Sequence, residues 1–345
     1  MKLNRVLASQ KGVLHLIDLP LPQYDRHEVM IEVVYSVMSP GTEQTIRQTT
    51  GKSGILSAAF KKLNQVREWG LTRSIKTFQK VWESYQPLGY SVAGKVVAVG
   101  ADVRGIEVGD DVMATGAGYA IHAQYVCVPS IYVLPIESMK DTDAFGGVLT
   151  IGLNAYTKAR PQIGDRVAVV GGGLIGQLTA QVMAAAGADV DVVEIKDTAI
   201  NRLKIVGLTV VSELSGVYDH IIICANTGAT FLSAQQHIAF GGTIVITGYG
   251  DLSVDRDLIE SSQFKLCCTD SYGLFAGNPK YVFLGEDMLG DAFGLDTARK
   301  NLRRARYLLA RIPIGGYTRI PVTDYSRIDG LLSDGAATVV IEWTS

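Results

Sequence analysis

The sequence of 345 residues predicts an α/β fold with two domains. Short strand-like stretches separated by Gly, Pro and Asp turns fill residues 1–46 and 87–135, which predicts a β-barrel-like domain. From about residue 150, Val- and Ile-rich stretches alternate with helical stretches, which predicts a doubly wound parallel sheet covered on both faces. The chain length agrees with this division, since a domain usually has roughly 150 residues.

Three strands are predicted with clear boundaries in the first domain: Glu28–Tyr35, Ala93–Gly100 and Gln124–Val128. Residues 47–86 interrupt this domain with apolar side chains at three- or four-residue steps, which predicts two inserted amphipathic helices. The insertion holds eight lysines and arginines against two glutamates. A solvated helical face is the simplest explanation of this excess, and a surface for an anionic substrate, a partner or a membrane is the alternative.

The second domain is predicted from strands and helices that alternate along the chain. In order, they are Arg166–Val170, Leu174–Ala186, Asp189–Glu194, Thr198–Val206, His220–Ala225, Thr230–Phe240, Thr243–Gly248 and the strand-like Phe264–Thr269.

An Arg-rich helix at about Asp296–Arg311 follows, and the strand Ala337–Trp343 is expected to return to the first domain. We therefore predict residues 1–148 as the first domain with insertion 47–86, residues 149–280 as the second, and residues 281–345 as the return.

Composition and charge exclude several functional classes. The formal net charge is -2, so no overall basic field attracts nucleic acid. The sequence has no continuous apolar segment of the kind that predicts a secretion signal or a membrane span. A cytoplasmic protein is therefore expected. The four cysteines lie in apolar stretches without metal-binding or redox spacing, which predicts reduced thiols.

A glycine-rich turn, Gly171–Gly176, is the strongest functional signal. A Val-rich strand precedes it and the helix from Leu174 follows, which is the context that a dinucleotide-binding turn requires. Gly171 permits the tight turn, Gly173 lets a pyrophosphate approach the backbone, and Gly176 lets the helix pack on the strand. Free N–H groups at the helix start, from Leu174 and Ile175 onwards, would face the phosphates.

Glu194 ends the next predicted strand, 18 residues beyond Gly176, where a carboxylate can accept both ribose hydroxyls of an adenosine. It would repel a 2'-phosphate, so NAD is favoured. Lys196 could contact a 2'-phosphate, which leaves NADP as an alternative. Further cofactor contacts are expected after two other strand ends, at Asn226, Thr227, Gly248 and Tyr249.

Four stretches together resemble the medium-chain dehydrogenase/reductase superfamily of zinc-type alcohol dehydrogenase-like proteins. They are Pro87–Gly100, Val108–Val112, Ala168–Gly176 and Gly241–Gly248. The resemblance implies a GroES-like β-barrel domain joined to a Rossmann domain, and NAD(P)-dependent oxidoreductase activity. Within the superfamily, the chain resembles a bacterial bi-domain oxidoreductase subgroup associated with sugar or cell-surface biosynthesis. This narrower resemblance is carried by Ser39–Glu43, Leu88–Ser91, Gly116–Tyr119 and the basic insertion.

The sequence departs from this superfamily at the zinc ligands. Pro40 stands where zinc members have Cys, Tyr90 and Ser91 replace a His-Glu pair, and Thr150 fills the last ligand position. A catalytic zinc needs three protein ligands of the His, Cys or carboxylate type. We therefore expect no metal ion.

Without a metal ion, hydrogen-bond donors must stabilise a developing alkoxide and move its proton. Thr42 matches the relay hydroxyl of zinc relatives, and the Tyr90 phenol occupies a former ligand position, so these two are the first candidates. Glu43 is expected to orient its neighbours, and His122 is a possible proton shuttle. Each also has a purely structural explanation. Substrate-pocket candidates are Ser39, Ser91, Tyr119 and Thr150.

Three functions compete at this point. The leading hypothesis is a zinc-independent NAD(P)-dependent alcohol/ketone oxidoreductase that acts on a small biosynthetic or sugar-like molecule. The alternatives are an NAD(P)H-dependent reductase of activated C=C bonds and a non-catalytic dinucleotide sensor or assembly subunit. The resemblance also implies a homodimer.

Overall fold

The computed structural model describes residues 3–41, 85–225, 228–247, 256–268, 298–333 and 338–343. The chain divides into two compact units. The first comprises Met1–Gly147, Leu274–Arg303 and Tyr317–Ser345, and the second comprises Val148–Gly273 and Arg304–Gly316. The inserted segment 47–86 lies outside the described residues except for Tyr85 and Gln86.

Within the described part of the chain, eight strands precede residue 140. They are β1 (Leu3–Gln10), β2 (Val13–Pro20), β3 (Glu28–Met38), β4 (Gln86–Pro87), β5 (Ser91–Val99), β6 (Asp111–Thr115), β7 (Tyr125–Pro129) and β8 (Val133–Ile136). Strands β2, β1 and β4 form one small antiparallel sheet. Lys11 and Gly12 connect β1 to β2 with φ angles of 49° and 85°, so both residues of this two-residue turn are left-handed.

Helices and parallel strands alternate from residue 146. They are α1 (Gly146–Ala159), β9 (Arg166–Val170), α2 (Leu174–Ala185), β10 (Asp189–Val193), α3 (Asp197–Ile205), β11 (Thr209–Val211), β12 (Tyr218–Ile223), α4 (Gly228–His237), β13 (Ile238–Ile246), α5 (Arg256–Ser262) and β14 (Lys265–Cys268). After these follow α6 (Ala298–Leu309), β15 (Tyr317–Pro321), α7 (Ile328–Ser333) and β16 (Thr338–Glu342).

The second unit contains a six-stranded parallel sheet in the order β11-β10-β9-β12-β13-β14. The order in which successive strands are added to the sheet reverses between β9 and β12. Open α/β sheets bind ligands in the crevice at this point of reversal. Successive β9 residues enter different core clusters, with Ala168 and Val170 on one face and Val167 and Val169 on the other. Both faces are therefore buried, as the run of Val and Ile predicted.

The first unit is organised around a mixed sheet in the order β15-β16-β3-β5-β6-β8, with β7 also pairing with β3. Val29, Ile31 and Val33 alternate with more exposed residues along β3 and are fully buried, which places their face of the strand in the core. The α/β fold class with its two sheet types is confirmed. The domain boundaries stay predictions, although Arg304–Gly316 groups with the second unit and not with the returning segment.

The predicted boundary at Phe240 is wrong. The helix expected over residues 230–240 ends at His237, and strand β13 begins at Ile238. Ile238 pairs with Tyr218, but the next pair is Thr243 with His220, so β13 carries a bulge. Gly241 lies in that bulge with a φ of 73°. The bulge hides the strand from a periodicity argument, because the alternation of side chains is broken there.

Candidate functional site

The carboxyl ends of four parallel strands lie in register at one edge of the six-stranded sheet. Val193 pairs with Val170, Val170 with Ile223, and Ile223 with Ile246. The glycine-rich turn follows the second of these ends. Its position at the reversal of strand order is the one where a dinucleotide binds in open α/β sheets.

The glycine-rich turn requires glycine at two positions for steric reasons. Gly171 has a φ of 102°, and its amide donates to the Val193 carbonyl over 2.9 Å. A Cβ atom at Gly176 would overlap the Gly171 carbonyl oxygen, so helix α2 packs against the turn more closely than any side chain permits. These two roles are the ones that the sequence predicted.

Gly173 differs from both because a Cβ atom there would meet nothing within 4 Å. Gly173 is exposed and stands immediately before α2, with extended backbone angles of -66° and -172°. The space over Gly173 and the free amides at the helix start form a cradle that fits a diphosphate. Leu174 is buried in the first turn, and Ile175 is half-buried.

Glu194 holds the turn to the neighbouring strand end. The Gly172 amide donates to Glu194 Oε2 over 2.9 Å, and the amides of Ile195 and Lys196 donate to Oε1 over 2.8 and 2.9 Å. A carboxylate has about four lone-pair sites, so acceptor capacity remains for ribose hydroxyls. Sequence reasoning found Glu194 but missed these bonds, since strand-end position alone does not reveal backbone partners.

Arg202 on α3 adds a positive charge near Glu194. Burial lowers the pKa of Arg202, and the nearby Glu194 carboxylate opposes that shift. A Cβ atom at Gly316 would overlap the Arg202 side chain, so this glycine lets the chain pass close to α3. Sequence reasoning missed Arg202 because nothing in the local pattern separates it from an ordinary helix arginine.

Cys224 follows β12 at the same edge of the sheet. Burial raises the pKa of the Cys224 thiol to about 11, and hydrogen bonds with Thr247 and Thr179 only partly oppose this. The thiol is therefore protonated at neutral pH. The predicted contacts Asn226, Thr227, Gly248 and Tyr249 lie outside the described residues, but Ala225 and Thr247, which precede them, are at this edge.

Tyr90, Ser91 and His122 lie in the first unit, where all three are buried. The Tyr90 carbonyl oxygen accepts hydrogen bonds from the Gly116 amide over 2.9 Å and from Thr115 Oγ1 over 3.1 Å. The backbone of Tyr90 is therefore fixed from the side of β6.

Ser91 has a structural task. Its hydroxyl donates to the Ala144 carbonyl and accepts from the Gly147 amide over 2.9 Å, which holds the start of α1. A Cβ atom at Gly147 would lie 2.6 Å from the Ser91 hydroxyl oxygen, so the two residues fit only as glycine and a small side chain. The structure thus places Ser91 inside the packing of the unit and not at an open surface.

The remaining candidates are spread over both units. Tyr119 is half-buried in the turn after β6, with its ring centroid 5.9 Å from that of Tyr132. Ser39 follows β3 and is 2% exposed, and Thr150 is fully buried in α1. Thr42 and Glu43 lie outside the described residues.

Two absences apply to the described part of the chain. Within the ranges given above, no group of three or more His, Cys, Asp or Glu side chains could hold a metal ion. Among the helices with assigned coordinates, none is long and apolar enough to cross a bilayer.

The fold and the turn define a two-unit α/β protein with a dinucleotide-binding type of sheet. Residues 166–208 match the family model described as "3-hydroxyacyl-CoA dehydrogenase, NAD binding domain". That range contains the glycine turn and Glu194, so the match falls on the site that the geometry identifies.

Two relatives are similar to this chain in sequence. An alcohol dehydrogenase of Geobacillus stearothermophilus is 29% identical over 205 residues, which cover 46% of this chain and 60% of that protein. An uncharacterized zinc-type alcohol dehydrogenase-like protein of Escherichia coli (strain K12), YdjJ, is 26% identical over 231 residues, with coverages of 52% and 66%. The matches span about 60% to two thirds of the length of these relatives.

Solved structures share the fold along almost the whole chain. A short chain alcohol dehydrogenase of Escherichia coli CFT073 in complex with NADH has a TM-score of 0.71 at 16% identity, covering 99% of both chains. A zinc-binding dehydrogenase of Sinorhizobium meliloti 1021 bound to NADP reaches 0.70 at 17%, and a quinone oxidoreductase of Coxiella burnetii 0.67 at 20%, each covering 99% of this chain and 100% of the other.

These findings confirm the predicted resemblance to zinc-type alcohol dehydrogenase-like proteins of the medium-chain superfamily. At such low identities, the structural matches concern the fold alone.

Proposed function

We propose that this chain is a zinc-independent, NAD(P)-dependent oxidoreductase acting on an alcohol or ketone carbon of a small biosynthetic or sugar-like molecule. The observation that carries the proposal is the glycine turn, which combines the open cradle at Gly173 with the steric requirement for glycine at Gly176. The family match over residues 166–208 supports the same dinucleotide site.

The residues of the turn fit the diphosphate of a nicotinamide dinucleotide, and Glu194 fits its adenosine ribose. A nicotinamide bound there would supply or accept the hydride. The chain itself has to hold the diphosphate on the α2 amides, keep the turn in place through Glu194, and provide a proton at the substrate oxygen. Thr42 and Tyr90 remain the proposed proton-transfer groups, with Glu43 as an orienting residue.

The proposal of a zinc-free site rests on donor chemistry. Pro40, Tyr90, Ser91 and Thr150 stand at the ligand positions implied by the resemblance, and none is a usual zinc ligand. Ser91 also uses its hydroxyl to hold α1, which leaves it unsuited to a ligand role. Stabilisation of the substrate oxygen is therefore assigned to hydrogen-bond donors.

Reduction of an activated C=C bond is the second candidate function. The same fold occurs in a quinone oxidoreductase and in the CurK enoyl reductase, the latter with a TM-score of 0.69 at 16% identity, so the fold is compatible with this reaction as well. A panel of 2,3-butanedione, 1,4-benzoquinone and an enoyl thioester, each with NADH and with NADPH, separates the two. Tight NADH binding without turnover of any carbonyl or alkene would favour the non-catalytic sensor.

The cofactor site is tested by Gly173→Ala, with Gly330→Ala as the matched control. Both positions have open space, but only Gly173 is at the cradle. We expect Gly173→Ala to weaken NADH binding by at least about tenfold, or ~1.4 kcal/mol, in a fluorescence titration. Gly330→Ala should bind NADH as the parent protein does. Equal affinity of all three proteins would overturn the dinucleotide assignment at this turn.

The compartment and the assembly are also proposals. We propose a homodimer in the cytoplasm. The assembly part rests on β14, which is an edge strand of the parallel sheet within the described residues, and an edge strand can pair with a second chain. Light scattering coupled to gel filtration measures the assembly directly. A monomer at micromolar concentration would contradict it.

A further inference from the structure

A buried polar cluster in the first unit is not used by the proposed reaction. His122 and Ser36 are fully buried, and Trp343 is 4% exposed. The Nδ1 atom of His122 lies 2.9 Å from Ser36 Oγ, and Trp343 Nε1 donates to the same oxygen over 2.9 Å. Three side chains from distant parts of the sequence therefore meet at one hydroxyl group.

The Ser36 hydroxyl fixes the orientation of the imidazole. An indole N–H can only donate, so Ser36 Oγ accepts from Trp343. The remaining hydrogen-bonding capacity of Ser36 faces Nδ1, which fixes the ring plane whichever ring nitrogen carries the proton. Trp343 is itself held in place, since its amide donates to the Val34 carbonyl over 2.9 Å.

The imidazole lies directly against the backbone that leads into Tyr90. The His122 amide donates to the Leu88 carbonyl over 2.8 Å. Gly89 has a φ of 94°, and a Cβ atom there would be 2.8 Å from the His122 amide nitrogen and 2.9 Å from both Cγ and Nδ1 of the same residue. The backbone and the ring of His122 together fill the space that a side chain at Gly89 would need, and so support this turn. Thr115 and the Gly116 amide hold the Tyr90 carbonyl.

We propose that Ser36, His122 and Trp343 form a positioning cluster for Tyr90, in which the hydrogen-bonded imidazole sets the Leu88–Tyr90 backbone. His122 then acts through Tyr90 and is not a proton shuttle, which agrees with its complete burial. Only one part of this inference rests on the proposed function, namely that Tyr90 donates a proton to the substrate. The structural part stands without it.

Three variants separate the hydrogen bond from the packing. His122→Asn keeps a Cγ atom and a hydrogen-bonding atom attached to it, which are the two that touch Gly89 and Ser36. His122→Phe keeps the ring and removes the bond, and Ser36→Ala removes the shared hydroxyl. His220→Phe is the matched control, because His220 is a buried histidine of the other unit.

The readout is the NMR signal of Tyr90 in protein carrying 13C-labelled tyrosine, identified by its loss in Tyr90→Phe. We expect His122→Phe and Ser36→Ala to shift or broaden this signal, and His122→Asn and His220→Phe to leave it in place. If Ser36→Ala, the mildest change, folds by circular dichroism and leaves the Tyr90 signal unmoved, the positioning cluster is wrong.

Turnover measurements distinguish failure of the cluster from failure of the proposed function. With whichever substrate of the panel reacts, we expect Ser36→Ala to lower kcat about tenfold while NADH binding is unchanged. In a Tyr90→Phe background, the same substitution should cost nothing further. If Tyr90→Phe alone retains full turnover, Tyr90 has no catalytic role. The NMR result then remains as the test of the positioning cluster.

Discussion

Glu194 has a structural role in addition to the contact with a cofactor that we propose for it. Its two carboxylate oxygens accept three backbone amides, including that of Gly172 in the glycine turn. From its place at a strand end, the sequence predicted only a contact to the cofactor ribose. The bond from the Gly172 amide adds that the proposed ribose site and the proposed phosphate cradle are directly connected.

This connection changes what substitution of Glu194 should do. We expect Glu194→Gln to weaken NADH and NADPH binding together, because the amide NH2 group cannot accept from backbone amides as a carboxylate oxygen does. The ratio of the two affinities should also move toward NADPH, since the repulsion of a 2'-phosphate is lost. Fluorescence titration with both cofactors measures each effect. The control is Glu213→Gln, at an exposed acid of the same unit. Unchanged absolute affinity for both cofactors would show that the turn does not need the carboxylate.

Cys224 gives a prediction that depends on pH. Its thiol pKa is raised to about 11, so the reactive thiolate forms only in strongly alkaline solution. We expect alkylation of Cys224 by iodoacetamide to be slow at pH 8 and to rise through about pH 11. Mass spectrometry of the Cys224 peptide, compared with a model thiol peptide, measures the profile. Complete alkylation at pH 8 on the time scale of the model peptide would contradict the raised pKa.

The stability that accompanies this shift has a definite sign. A thiol whose pKa is higher in the folded than in the unfolded state stabilises the fold fully below the unfolded pKa of about 9. This contribution is lost as the pH rises from about 9 to about 11. Cys224→Ser removes the dependence, which identifies its source.

The elements differ in how well their sequence predicts them. Strand β9 was predicted with the bounds that it has, because the four residues from Val167 to Val170 are buried on both faces and are followed at once by the glycine turn. Helix α2 ends at Ala185, one residue from its predicted end. Strong local patterns sufficed for both.

Elements and sites that depend on distant partners were not predictable in this way. Strand β13 begins three residues inside a predicted helix because Ile238 pairs with Tyr218, a partner 20 positions away in sequence. The bond between His122 and Ser36 spans 86 positions, and that between Trp343 and Ser36 spans 307. No local pattern marks such contacts, since tertiary packing creates them.

The hairpin of β1 and β2 permits a test of local backbone preference. Lys11 has a φ of 49°, a conformation that Asn tolerates better than Lys. We expect Lys11→Asn to stabilise the protein by about 0.5 kcal/mol, and Gly12→Ala to destabilise it by about 1 kcal/mol since the φ of Gly12 is also positive. Urea unfolding compares the three proteins. The turn geometry requires that the two substitutions change the free energy of unfolding in opposite directions. Changes in the same direction would contradict it.

At the scale of the molecule, the two units differ in the candidate residues that they hold. The second unit holds the glycine turn, Glu194 and Cys224, and the first holds Tyr90 and its supporting cluster. The fold and the cofactor turn followed from sequence, because periodicity and glycine spacing are local. Local patterns do not define the roles of the candidate catalytic residues, because those roles depend on the side chains that surround them.

A chelator experiment tests the zinc-free proposal on the whole protein. We expect less than about 0.1 zinc per chain by elemental analysis, and the same thermal midpoint with and without EDTA, since a structural zinc would contribute on the order of 10 kcal/mol to folding. The Escherichia coli protein YdjJ, whose name describes it as zinc-type, is carried through the same purification as the comparison protein. Stoichiometric zinc would contradict the proposal, as would a lower midpoint in EDTA.

The bulge in β13 has one more consequence, which concerns tolerance to change. It takes up the extra residues around Gly241 at the amino end of the strand, and the pairing from Thr243 to Ile246 then continues without interruption. Length variation is thus absorbed on the side of the sheet away from the glycine turn. Related chains should therefore accept insertions or deletions near residue 240 while their cofactor edge keeps its spacing, which makes this point suited to the attachment of a reporter loop.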